Sequence, residues 1–202
     1  MDVPYFPGMI LPYFSANCNR RRALWAASAS EKQHVRKDLI SLSILIRNVT
    51  PADLDGVCAV ENAGFPPAEG ATRAAFQYRI SAFPQWFLVA EDAGQVVGLL
   101  NGPSTGKRFL CDELYEPGGA DEGGDALAIL GLAVLPAYRK QGIAARLMEE
   151  YIARARAAGK RRIVLTCKEG LIPYYEKFGY QNRGVSASVH GGVVWYDMEL
   201  IL

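Results

Sequence analysis

The sequence predicts a mixed α/β fold, an α+β arrangement with a central mixed β-sheet flanked by helices. Three observations predict it. An apolar run, Ala126 to Leu135, is followed by a basic, glycine-containing loop and then by an amphipathic helix. Short strand-like and helix-like segments alternate through the rest of the chain in the order β–α–α–β–β–β–α–β–α–β–β. Half of the residues are hydrophobic and 21% are charged, as in globular domains.

The elements follow in order. Residues 1–42 read as an N-terminal extension, flexible or partly helical, and residues 43–202 as the domain. Three prolines and a glycine in the first twelve residues exclude a helix there. Arg20, Arg21 and Arg22 follow the apolar patch of Ile10 to Phe14, the wrong order for a signal peptide. Ile44-Leu45-Ile46 is a first strand. Thr50-Pro51 starts a helix presenting Leu54, Val57, Cys58 and Glu61, with Thr as cap and Pro at the first position. Thr72 caps a second helix through Ile80. Phe87 to Ala90 and Gln95 to Leu100 form a hairpin around Asp92-Ala93-Gly94. Residues 101–125 are a glycine-rich, acidic excursion. Gln141 to Ala158 is a helix with the apolar stripe Ile143, Leu147, Met148, Tyr151, Ile152 and Ala155. Arg162 to Cys167 is a strand, and Leu171 to Phe178 a short helix ended by Gly179. Two strands close the chain, near Val185–Val189 and Val193–Leu200.

Composition narrows the function classes. The net charge of +1 gives no global case for nucleic acid or membrane binding. No apolar run is long enough to span a bilayer. Cys18, Cys58, Cys111 and Cys167 lack disulfide or zinc spacing, and His34 and His190 are the only histidines. No metal site is expected, and a reducing cytoplasm is the expected compartment. Charge is nevertheless uneven. Residues 136–162 hold eight Lys/Arg against two Glu, and residues 109–125 hold six Asp/Glu and no Lys/Arg.

The most informative stretch is Arg139-x-x-Gly142-x-Ala144, between the apolar strand and the amphipathic helix. Free N–H groups at a helix start, the helix dipole and the added charge of Arg139 and Lys140 make a diphosphate cradle. The dinucleotide fingerprint needs three glycines, and a P-loop needs Gly-Lys-Ser/Thr; neither is present. A second block reads Leu165-Thr-Cys-Lys-Glu-Gly-Leu-Ile-Pro-Tyr174-Tyr175-Glu-Lys-Phe-Gly-Tyr180.

The loop, the element order and the Pro-Tyr-Tyr-Glu-Lys-Phe-Gly-Tyr block together resemble the GNAT superfamily of N-acetyltransferases. The run from Cys167 to Glu176, with Glu61-Asn-Ala-Gly-Phe65-Pro66 and Gly191-Gly-Val-Val-Trp-Tyr-Asp-Met198, is similar to the arylalkylamine (serotonin) N-acetyltransferases and their microbial relatives. The resemblance covers roughly residues 44–200. It implies an acetyl-CoA-dependent N-acetyltransferase acting on a small amine, with acetyl-CoA as cosubstrate and no metal. Leu132, Ala133 and Val134 would pair with the pantetheine arm, and Arg139, Lys140, Gln141, Gly142, Ile143 and Ala144 would hold the diphosphate. A bulge near Gly131 would splay two parallel strands. Tyr175 falls on the family's general-acid tyrosine; neighbours on a helix lie ~100° apart, so Tyr174 and Tyr175 cannot both face the sulfur. Phe65, Pro66 and Thr166 match pocket positions, and core burial is the competing reading of Phe65.

One departure matters. Animal members carry a His-x-His pair on the central strand, where this chain has Ala128 and Leu130. A primary amine with a pKa near 10 is about one part in a thousand free base at pH 7, roughly 4 kcal/mol uphill. Glu61, His190 or a water chain ending at a carboxylate are the candidate bases. Glu61 also reads as a solvated helix-end charge, and His190 as a loop residue. The acidic stretch reads either as a field drawing cationic amines or as a solvated loop. Peptide N-termini and polyamines are alternative acceptors, and a non-catalytic CoA-binding sensor is the alternative outside enzymes. The expected partner is a small-molecule amine, with the protein a monomer or homodimer.

Overall fold

A computed structural model of the protein describes residues 44–202. The expected extension over residues 1–42 lies outside the described residues.

Strand β1 (Leu45–Asn48) leads through a single 3₁₀ turn, Pro51–Asp53, into α1 (Leu54–Gly64). The Asp53 carboxylate fixes this start. It accepts from the Thr50 N–H at 2.7 Å and hydroxyl at 2.8 Å, and from Arg47 of β1 at 2.7 Å. Helix α2 (Arg73–Ala82) is capped as expected, with the Thr72 hydroxyl accepting from Ala75 N at 3.1 Å. Strands β2 (Phe87–Asp92) and β3 (Gln95–Asn101) form the hairpin. Ala93 and Gly94 sit at φ 48° and 87°, the doubly left-handed turn whose twist matches the flanking strands.

The apolar run from Ala126 is two strands. It divides at Leu130 into β5 (Ala126–Ile129) and β6 (Gly131–Val134), and each joins a different sheet. Strand β6 closes an antiparallel sheet in the order β1-β2-β3-β6. Strand β5 lies between β4 (Ser104–Thr105) and β7 (Arg162–Cys167), parallel to β7. That parallel pairing ends at Ile129↔Leu165. Beyond it β6 follows β3 while Thr166 and Cys167 of β7 follow the last strand, β9 (Tyr196–Ile201). The two parallel strands therefore part, and a wedge opens between Gly131–Val134 and Thr166–Cys167.

Helices cover both faces of the first sheet. Gly98 of β3 faces Leu147 of α3 (Ile143–Ala157), whereas its neighbour Leu99 packs in the cluster containing Val57 and Val60 of α1. All six residues of the expected α3 stripe are buried.

Two segments depart from the sequence expectation. The acidic excursion is not wholly loop: β4 and a 3₁₀ turn, Asp112–Tyr115, lie inside it. The penultimate strand, β8, spans Gln181–Val185, and residues 186–195 form a loop. The valines suggested a strand further on, but Val185, Val189 and Val194 are 68%, 76% and 63% exposed. Strand β8 is the edge of its sheet, where polar residues are tolerated and an apolar pattern is not required. Helix α4 is only Ile172–Glu176, continued from a 3₁₀ turn at Glu169–Leu171.

Candidate active site

The wedge is lined by Phe65, Leu130, Leu132, Thr166, Cys167 and Tyr175, among others, and encloses about 90 Å3. Because β6 is the edge strand of its sheet, its backbone groups facing away from β3 have no strand partner. Of the three expected pantetheine residues, Leu132 lines the wedge. Ala133 and Val134 are buried, leaving their backbone as the part that can pair.

The loop after β6 is held from within. Arg139 Nε donates to Val134 O at 3.0 Å and its Nη2 to Ala63 O at 3.1 Å, and Gln141 Nε2 donates to Ala137 O at 3.0 Å. Arg139 thus fastens the loop to β6 and α1. Lys140 and Gly142 adopt left-handed φ of 60° and 81°, turning the chain into α3. The first α3 bond runs from Arg146 N to Gly142 O, so the N–H groups of Ile143 and Ala144 have no helical partner. A Cβ on Gly142 would meet no protein atom within 4 Å. The space above the glycine is open, and the bare N–H groups and the helix dipole give it a positive potential. Ile143 points inward at 2% exposure and contributes only its backbone.

Helix α4 brings Tyr175 to the wedge, where it lines the space and Tyr174 does not. The Tyr175 ring, 8% exposed, meets Tyr174 and Tyr180 edge-on at 5.2 and 5.8 Å. Burial pushes the Tyr175 phenol well above its ordinary value, so it keeps its proton. Burial likewise pushes the Cys167 thiol up to about 11, so it is not a thiolate near neutrality.

A larger cleft of about 430 Å3 adjoins the wedge. Glu61, Arg79 and Glu116 line it, and it shares Glu69, Tyr115, Leu130 and His190 with the wedge. Glu61 is only 4% exposed. Its Oε1 accepts from Ala71 N at 2.8 Å, and its Oε2 has no protein partner. Burial raises its pKa, while the Ala71 N–H and the Arg79 charge pull it down. The solvated-charge reading of Glu61 is therefore set aside. The His190 ring stacks on Tyr115 with centroids 4.5 Å apart, and its Nε2 lies 3.0 Å from Glu69 O. A carbonyl accepts only, so that nitrogen carries the proton and the ring is anchored as a wall of the cleft.

Phe65 serves both readings, packing on the core and lining the wedge. Pro66 is exposed and outside both linings; its carbonyl accepts from Glu69 N and Gly70 N at 2.9 and 3.0 Å. Thr166 lines the wedge together with Tyr115. Leu130, at the second position of the missing His pair, faces both spaces, whereas Ala128 is fully buried. Half of the six acids in the acidic stretch hold the local structure. Asp112 accepts from Ser188 Oγ and Val189 N, Asp121 from Gly123 N, and Asp125 pairs with Arg162. Only Glu116 of its six acids reaches the cleft.

Sequence reasoning missed Arg79, Asn101, Tyr115 and Glu69. Arg79 carried a signal, since it shares the buried face of α2 with Phe76 and Ile80. A charge on an apolar helix face is seldom left there without a partner or a task. No metal-binding cluster occurs among the described residues.

The Acetyltransferase (GNAT) family matches residues 56–180, which hold β6, the loop and Tyr175. The chain belongs to this family. It is 28% identical over 163 residues to the serotonin N-acetyltransferase of Mesocricetus auratus, spanning 77% of this chain and 76% of the relative. A GNAT family acetyltransferase from Brucella melitensis, solved with acetyl-CoA, superposes with a TM-score of 0.52 at 25% identity, over 79% of this chain and 88% of that one. The GNAT-like decarboxylase GphF, solved with isobutyryl-CoA, shares the fold with a TM-score of 0.66 at 22% identity, over 78% and 98% of the chains. This GNAT N-acetyltransferase thus takes an acyl-CoA cosubstrate and an amine-bearing acceptor. No helix among the described residues is long and apolar enough to cross a membrane.

Proposed function

We propose that this acetyltransferase acetylates the primary amine of a small arylalkylamine, of the tyramine or tryptamine kind, by direct attack in a ternary complex. The observation that carries the reading is the meeting of two spaces. The wedge ends at Tyr175 and β6, and it adjoins a cleft holding the free oxygen of Glu61 beside aromatic walls. The relationship to a serotonin N-acetyltransferase points to the same acceptor class.

Acetyl-CoA supplies an acyl group already activated as a thioester. The loop from Arg139 to Ala144 binds the diphosphate, and the β6 edge pairs with the pantetheine arm as an added strand would. Backbone N–H groups of β6 near Leu132–Val134 polarise the carbonyl. Glu61 Oε2 takes the proton that the amine must lose before attack. Tyr175, kept protonated by burial, gives its proton to the departing sulfur and takes one back from the nitrogen as the intermediate collapses to the amide. Phe65, Tyr115 and His190 supply apolar and aromatic surface for the aryl group. A cytoplasmic location fits such a reaction.

Thiol release from acetyl-CoA with tryptamine, tyramine, phenethylamine, spermidine and short peptides tests the reading. Turnover concentrated in the aryl amines is the expected result. Turnover confined to spermidine would favour the three cleft carboxylates, Glu61, Glu69 and Glu116, as the recognition element. Turnover confined to peptides would refute the small-amine pocket.

A further inference from the structure

Arg79 is 3% exposed, yet among the described residues it forms no ion pair. Its Nη1 donates to Asn101 Oδ1 at 3.2 Å, its Nε has no partner, and its guanidinium lies 5.6 Å from the Phe76 ring centre and 5.9 Å from that of Tyr115. Asn101 is fully buried in β3, opposite Gly131 of β6. Because its Oδ1 is taken by Arg79, its Nδ2 faces the other way and finds no protein partner. A Cβ placed on Gly131 would lie 3.4 Å from that Nδ2 and 3.9 Å from Glu61 Oε2. The free donor of Asn101 and the free acceptor of Glu61 thus converge beside one residue of the wedge.

We propose that Arg79 is a positioning residue for Glu61, its buried charge acting on the carboxylate from within the same cleft while Asn101 holds the guanidinium in place. This rests on the reading of Glu61 as the proton acceptor. A carboxyl at 4% exposure is driven toward its neutral form, which cannot accept a proton. A buried guanidinium in the same cleft opposes that drive, and the two charges compensate each other at the cleft floor. The other ionisable groups lining the cleft are Glu69, Glu116, Tyr115 and His190. Glu69 is engaged by Lys168 at 2.8 Å, and among the described residues Arg79 is the one Lys or Arg that lines the cleft with Glu61. The balance of the step is simple: the ammonium gives one proton, Glu61 gains it, and the neutral amine attacks. Arg79 neither gains nor loses a proton.

The test is the pH dependence of kcat/KM for acetyl transfer, using the best amine of the panel above. Glu61→Gln is expected to abolish the acid limb of the profile together with most of the rate. Arg79→Gln keeps an amide donor toward Asn101 and removes the charge. It is expected to move the acid limb up by about one pH unit or more, with activity partly recovered on the alkaline side. Asn101→Asp preserves volume and places a carboxylate on Arg79, so it is expected to move the limb the same way. Arg79→Lys is expected to leave the limb near its wild-type position. A purely structural Arg79 would lower the rate at every pH without moving the limb. An unmoved limb in either Arg79→Gln or Asn101→Asp overturns the inference while the Glu61 assignment stands. A limb that survives Glu61→Gln overturns both.

Discussion

Replacing Tyr175 by Phe removes one hydroxyl and little else. The ring is held edge-on by Tyr174 and Tyr180, and a phenyl ring keeps those contacts. The structural cost is that of one hydroxyl, about 1 kcal/mol or less. The kinetic cost is larger. Positioned general acids contribute about 10²–10⁴ in rate, or roughly 3–5 kcal/mol of barrier at 1.36 kcal/mol per decade. The variant should therefore melt close to wild type, bind CoA with unchanged Kd, and lose at least a hundredfold in kcat. Calorimetry of CoA binding, thermal melting and thiol release measure the three quantities independently. Because burial holds the Tyr175 phenol above its ordinary value of 10.0, wild-type kcat should show no alkaline decline from this group below about pH 10. A kcat within threefold of wild type, with CoA still bound, would refute the assignment of Tyr175 as the proton donor.

Gly142→Ala places a methyl group in the open space above the Arg139–Ala144 loop and keeps a φ of 81° that costs an L-residue about 1–2 kcal/mol. Its Kd for CoA should rise at least tenfold while the protein stays folded, as titration and melting would show; an unchanged Kd would remove the loop from the binding site. The Arg47 guanidinium beside Asp53 holds that carboxyl near 2 instead of 3.8, so the pair stabilises above about pH 4 and the stabilisation is lost as pH falls toward 2. Asp53→Asn should cost about 1–2 kcal/mol at pH 7, after discounting for the partly exposed Arg47. That gap should shrink as pH falls from about 4 and close only below about pH 2 in urea unfolding curves, and a gap independent of pH would contradict the linkage.

Much of the fold was written in local pattern. The α3 stripe, the Thr50 and Thr72 starts and the Asp92–Gly94 turn each depend on residues within one or two turns of chain, and each is where periodicity and capping place it. The failures are equally physical. Gly131 marks the break beside it at Leu130, but that β5 and β6 join different sheets is not written in the apolar run, because it arises where two sheets compete for one strand. Strand β8 was misplaced because an edge strand carries little apolar pattern.

The site divides along the same line. The sequence by itself determined the strand–loop–helix order around Arg139 to Ala144 and the family block around Tyr175, since a helix start after a glycine and a short helix ending in glycine are local constructions. It also named Glu61, but left its charge ambiguous. Only the tertiary structure put Tyr175 and not Tyr174 on the wedge, left Pro66 outside both linings and anchored the His190 ring as a wall. It alone brought Asn101 and Glu61 to one face of Gly131 and put Arg79 behind Asn101, on its amide oxygen. These outcomes depend on burial and on long-range pairing: a side chain's neighbours across a sheet set its exposure, its partners and its charge, and none of them is adjacent in sequence.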